Sequence, residues 1–176
     1  MFASQKSDRL AQASIQALPF PAETFDLVTS FEVLYHLAVT DDLTALREFA
    51  RVLRPGGWLL VRVPAHDWLR GAHDRQVHTR HRYGRDELKQ KIQATGLQIK
   101  RITSVGLTLL PFAVLKRVTE KETTTHSDVT LPPFFLNQML KLLLTAEGLG
   151  LRRFNLPLGL SLLGLARKIE SDKVKG

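Results

Sequence analysis

LPFPAETFDLVTSFEVLYH, residues Leu18 to His36, is the stretch on which the fold turns. Pro19 and Pro21 each fix their own φ and push the residue before them into an extended shape, so Leu18-Pro19-Phe20-Pro21 leads in as a kinked apolar segment. Phe25-Asp26-Leu27-Val28-Thr29-Ser30 is short, rich in β-formers and bounded by turn chemistry, the pattern of a strand buried on both faces. It runs into Phe31-Glu32-Val33-Leu34-Tyr35-His36, where polar groups gather just past the strand's C-terminal end. Ligands bind along that edge in open α/β sheets. An ordinary buried strand and turn is the other reading that the pattern allows.

Downstream, Thr40-Asp41-Asp42 carries a capping side chain and first-turn acids, and Leu43, Leu46, Ala50 and Leu53 follow at helical spacing. Arg54-Pro55-Gly56-Gly57 stops that helix. Trp58 to Val63 is a second strand ending at Pro64, which completes a right-handed crossover unit of a parallel sheet. The pattern repeats. A loop rich in His and Arg spans Ala65 to Gly84, Arg85 to Thr95 reads as a helix with Leu88 and Ile92 inward, Gly96 closes it, and Leu97 to Val105 reads as a strand. Less regular chain covers about 106–157, including a helix from Phe134 to about Glu147. Leu158 to Ala166 is the last strand. Upstream, Arg9 to Ile15 reads as a short strand, with Ser14 and Gln16 in the loop that follows. There are no internal repeats.

At 176 residues, 44% hydrophobic and 24% charged, the chain is read as a single globular domain spanning 1–176. It has no cysteine, which excludes disulfides, thiolate nucleophiles and cysteine metal sites and suits a reducing compartment. Its N-terminus lacks the apolar core of a signal peptide, and no apolar run reaches the about 18 residues of a membrane span, so a cytoplasmic location is expected. The net charge is +8. Between Arg62 and Arg101, ten Lys and Arg stand against four acids, a field that attracts anions unless it is simply a solvated face.

LPFPAETFDLVTSFEVLYH followed by ALREFARVLRPGGWLLVRVPA resembles the middle of a class I S-adenosylmethionine-dependent methyltransferase, of the methyltransferase type 11-like kind. HDRQVHTRHRYGRDELKQKIQATGL is similar to a subgroup with a His/Arg-rich segment before the second helix, and LPLGLSLLGLARK resembles the family's final antiparallel strand. The resemblance covers roughly residues 10–105 and 156–168. It implies an α/β fold, a Rossmann-like methyltransferase sheet with helices on both faces and an antiparallel last strand. It also implies S-adenosylmethionine as cofactor, across the strand ends. The family's glycine-rich GxGxG loop and the acid ending its second strand do not occur here. The expectation is therefore a domain lacking the first strand–helix–strand unit, cut, misassigned or degenerate, with an incomplete cofactor site and weak or no activity.

By the same resemblance Ser14 and Ile15 take the adenine-contacting loop, while Ser30, Phe31 and Glu32 line the cofactor floor. His36 falls on the family's VLxH histidine, a candidate general base with a suitable unperturbed pKa; a turn histidine bonded to backbone is the alternative. His73, His78, Arg80, His81, Arg82 and Tyr83 form the candidate substrate cluster, with Arg80 and Arg82 as forked donors to an anionic acceptor. Salt-bridging to Asp74, Asp86 and Glu87 is the competing reading. Ser104 and Gly106 stand where the subgroup carries an aromatic and an asparagine. His78 and His81 have metal-ligand spacing without a completing ligand, so no metal is expected. Phe134 to Leu151 is either a core-packing helix or an interfacial one resting on a membrane, flanked by Arg152 and Arg153.

The expected function is methyl transfer to a small-molecule or lipid- or glycan-linked acceptor. The alternative is a non-catalytic interaction module whose basic loop binds an anionic partner or surface. Nucleic-acid binding would rest on charge alone, so no nucleic acid is expected. An exposed sheet edge would favour homo-oligomers.

Overall fold

A computed structural model of the chain describes residues 10–71, 74, 77–119 and 133–170. Strand β1 is Phe25–Phe31, helix α1 Asp42–Val52, β2 Leu53–Pro64, α2 Arg85–Gln93, β3 Leu97–Val105, α3 Leu110–Thr119, α4 Phe134–Leu151 and β4 Ser161–Lys168. Among the described residues the sheet has four strands in the order β1-β2-β4-β3. β1 and β2 are parallel, and β4 runs antiparallel between β2 and β3. This is the α/β arrangement with an antiparallel last strand that the sequence leads one to expect.

Local chemistry accounts for most element boundaries. Asp41 Oδ1 accepts from the Leu43 and Thr44 amides at 2.9 and 3.2 Å and so starts α1. Gly96 at φ 80° closes α2. β2 begins earlier than Trp58, directly at Leu53, because the Pro-Gly-Gly stop is folded into the strand. Register jumps from Phe25↔Leu53 to Leu27↔Trp58, and a Cβ on Gly57 would meet Asp26 O at 3.2 Å. The expected strand Arg9–Ile15 is corrected: Arg9 lies outside the described residues, and over 10–15 there is only an isolated Ser14–Ala17 bridge. Ser14 Oγ accepts from the Gln16 amide at 3.2 Å, and this turn chemistry competes with ladder formation.

Helices α1 and α2 lie on one sheet face. Leu46, Phe49, Leu59, Val61, Leu88 and Ile92 form the centre of its core. Gly164 is required there, since a Cβ would meet Ile92 Cδ1 and Val61 Cγ1, both at 3.1 Å. The opposite face presents Leu27, 56% exposed, with Leu60, Leu163 and Leu165 half-buried. α3 and α4 follow β3. Glu147 ties α4 down by accepting from the backbone amides of Gly106, Leu107 and Thr108 and from the Thr108 hydroxyl.

Candidate functional site

Two concavities flank the C-terminal end of β1, and the chain steps from one to the other within three residues. Ser30 and Phe31 line an apolar groove of about 450 Å³ along the outer edge of the sheet, with Ile15, Leu18, Phe20 and Val33. Glu32, at φ 59°, turns the chain into a second cleft of about 500 Å³. A glutamate in the left-handed region is uncommon, and such strain persists where surrounding contacts over-determine it. Here they do: Tyr35 Oη donates to Glu32 Oε2 at 2.6 Å, and Arg62 Nε stands 3.4 Å from Oε1. Arg62 Nη2 in turn donates to Ser161 Oγ at 3.3 Å. Burial, the bond to Glu32 and its charge push the Tyr35 phenol far above its ordinary value.

The far wall of this cleft includes Asp74, Thr79 and Arg82, with Ala113 of α3 and Leu160 at its rim. Asp74 is 3% exposed and takes a forked ion pair from Arg82, Nε to Oδ1 at 3.0 Å and Nη2 to Oδ2 at 3.1 Å. Arg82 Nη1 also donates to Ala65 O. The cleft thus offers a carboxylate and a guanidinium on the β-strand side facing an internally neutralised pair.

The basic loop is held by a buried knot. Asp42 accepts from Tyr83 Oη at 2.7 Å and from Lys91 Nζ at 2.6 Å, with Arg80 Nη2 at 3.2 Å. Lys91 also pairs with Glu87 at 3.1 Å, and His81 Nε2 lies 3.0 Å from Glu87 Oε1. Burial alone would raise Asp42, but Lys91, Tyr83 and Arg80 outweigh it and hold the carboxyl below the usual range. Burial and its bond to Asp42 push the Tyr83 phenol far up. Asp42, His81 and Glu87 bring three ligand-type groups together, but the Lys91 ammonium already contacts both carboxylates as their cation.

The sequence-predicted residues therefore separate. Ile15, Ser30 and Phe31 meet in the groove, Ser14 stays in its turn, and Glu32 belongs to the cleft. Arg82 reaches the cleft with its donors committed to Asp74 and Ala65. Arg80, His81 and Tyr83 lie in the knot; of the acids named in the salt-bridging reading Glu87 meets His81 and Asp74 meets Arg82, whereas Arg80 and Tyr83 meet Asp42. His36 Nδ1 accepts from the Ala38 amide at 3.1 Å, and its ring stands 5.6 Å from that of His78, outside the cleft lining. His73 lies outside the described residues. Ser104 is fully buried and donates to Pro157 O, and Gly106 donates to Glu147, so both are structural. Sequence reasoning missed Tyr35 and Arg62 in the cleft lining. Arg62 had a signal, as a lone cation in an apolar strand.

Residues 2–61 match the family model described as a methyltransferase domain. That stretch of the chain is similar to a methyltransferase domain. The chain is 46% identical over 66 residues to the ubiquinone/menaquinone biosynthesis C-methyltransferase UbiE of Shewanella frigidimarina, covering 36% of this chain and 26% of that protein. The matched stretch spans about a quarter of the length of the curated relatives it matches. The chain's fold is shared with a structure of the complex between the Haloferax volcanii Trm112 methyltransferase activator and a methyltransferase, at TM-score 0.56 and 19% identity over 96% of this chain and 66% of that one. It is also shared with Haemonchus contortus phosphoethanolamine N-methyltransferase 2 in complex with S-adenosyl-L-methionine, at TM-score 0.52 and 15% identity over 89% and 36%.

Proposed function

We propose that this domain serves S-adenosylmethionine-dependent methyl transfer to a small-molecule acceptor, carbon-centred acceptors of the kind named for the UbiE relatives included. The cleft takes the acceptor, and the groove takes the apolar part of the cofactor. One observation carries the reading. Ser30 Oγ is buried without a hydrogen-bond partner beside the apolar groove, and two residues later Glu32 is strained into the cleft. A buried unpaired hydroxyl costs free energy unless a ligand atom completes it, and the apolar walls of Ile15 and Phe31 suit a heteroaromatic ring.

When bound, S-adenosylmethionine supplies the activated methyl group. The chain's own part is positioning, because in-line placement of donor and acceptor is what such a transfer demands most. Glu32, fixed by Tyr35 and Arg62, orients a polar acceptor atom at the strand end, and the buried Asp74–Arg82 pair stiffens the opposite wall. Among the described groove residues no carboxylate faces a ribose diol, so this chain alone binds the cofactor weakly.

The test is amide chemical-shift mapping with S-adenosylmethionine. Millimolar cofactor is expected to shift Ile15, Ser30 and Phe31, and Ser30→Val is expected to weaken that response. No shifts at these positions would overturn the groove assignment, and saturation at micromolar cofactor would overturn the weak affinity.

A further inference from the structure

Helix α4 is unusual in its burial. None of its 18 residues is fully buried, although most are apolar. Leu136, Leu140, Glu147 and Leu151 form a half-buried stripe on one side. On another side Phe135, Met139, Leu142, Ala146 and Leu149 recur at alternating spacings of four and three, a continuous apolar stripe in solvent. Phe135 is 79% exposed and Leu142 71%. Aromatic rings mark both ends of the helical region, Phe134 at 79% and Phe154 at 68%. An exposed apolar layer of this extent marks an interaction surface.

Charge says what covers it. The segment from Pro133 to Gly159 contains Lys141, Arg152, Arg153 and one acid, Glu147. Glu147 is unavailable to any partner, because both its oxygens hold Gly106, Leu107 and Thr108, bonds that outweigh its partial burial and keep its carboxyl below the usual range. Two copies of α4 facing each other would bring Lys141, Arg152 and Arg153 together with no free carboxylate between them. A bilayer with anionic headgroups satisfies both features: it accepts an apolar stripe at the acyl boundary and attracts the cations around it. No described helix is long and apolar enough to cross a membrane, so the helix would lie on the surface.

We propose that helix α4 and its flanking residues dock this protein on an anionic lipid bilayer. The inference stands independently of methyl transfer.

Vesicle flotation of the full chain tests this, comparing phosphatidylcholine alone with the same lipid carrying about one-third phosphatidylglycerol. Partitioning is expected to be at least about tenfold stronger on the anionic vesicles, and to fall several-fold in high salt. Arg152→Glu with Arg153→Glu is expected to reduce it by about fivefold or more per site. Phe135→Ser with Leu142→Ser is expected to lower it by roughly tenfold or more with an unchanged circular-dichroism melt, because both side chains are solvent-exposed. No partitioning, or equal partitioning on neutral and anionic vesicles, would overturn the proposal. So would a dimer in analytical ultracentrifugation that Leu142→Ser dissociates, which would assign the layer to a second copy of the chain.

Discussion

Replacing Asp42 by asparagine separates the ionic knot from the packing around it. Asp42 is 4% exposed and faces three donors, Tyr83 Oη, Lys91 Nζ and Arg80 Nη2, at 2.7, 2.6 and 3.2 Å. Breaking a buried ion pair costs about 3–5 kcal/mol when the partner is left uncompensated. Here Lys91 keeps Glu87, and the Lys91 and Arg80 side chains are 26% and 31% exposed. Water therefore takes up part of the loss, which lowers the expected cost to about 2 kcal/mol, or about 4–8 °C in Tm for a domain of this size. Because the folded-state carboxyl is held below its unfolded value near 4, its contribution is complete above that value. It fades as pH falls through the lower folded one. Urea denaturation of both proteins near pH 7, 5 and 3 reads this directly. The asparagine variant's deficit should be full near pH 7 and shrink toward the acid end, where the unfolded carboxyl protonates first and the folded one follows. A deficit of the same size near pH 3 would refute the reasoning, because the loss would then come from shape and not from charge.

Three further outcomes are expected. Arg82→Ala strands the buried Asp74 carboxylate and should cost about 3 kcal/mol in denaturant unfolding, with Arg82→Lys restoring only part because an ammonium cannot make the forked contact. Both tyrosines of the chain, Tyr35 and Tyr83, hold their protons past the ordinary phenol range, so phenolate absorbance should emerge only together with alkaline unfolding; a reversible titration of either near pH 10 would contradict the two carboxylate contacts. Gly159→Ala places a methyl 2.5 Å from Val105 O and 2.8 Å from its carbonyl carbon, and the backbone clash should cost about 3 kcal/mol or more in thermal or denaturant melts.

Much of the architecture was legible because it is written in neighbouring residues. The β-rich run at Phe25, the Asp41 cap, the apolar spacing of Leu46 and Ala50 and the Pro-Gly-Gly stop are signals a few residues long, and helices and strands follow from them. The antiparallel last strand was legible only through likeness to a family, since nothing local to Ser161–Lys168 says between which strands it inserts. The first strand failed because a strand exists only with a ladder partner, and residues 10–15 make just one isolated bridge.

The candidate site divides along the same line. That polar chemistry collects after β1 was readable from the order strand, Glu, Tyr, His. Which of those groups faces a cleft was not, because Glu32 is turned by its φ of 59° and held by Tyr35 and by Arg62 on the neighbouring strand. The basic loop shows the limit most plainly. Arg80 and Arg82 read as a free anion clamp while their partners are unknown; Asp42, 38 residues before Arg80 in the chain, and Asp74 decide that these two are not free. Sequence alone determined most of the elements and the strand end where polar groups gather, since propensity and turn chemistry act over a few residues. Only the tertiary structure decided which donors remain available, since that depends on charges brought together from distant parts of the chain.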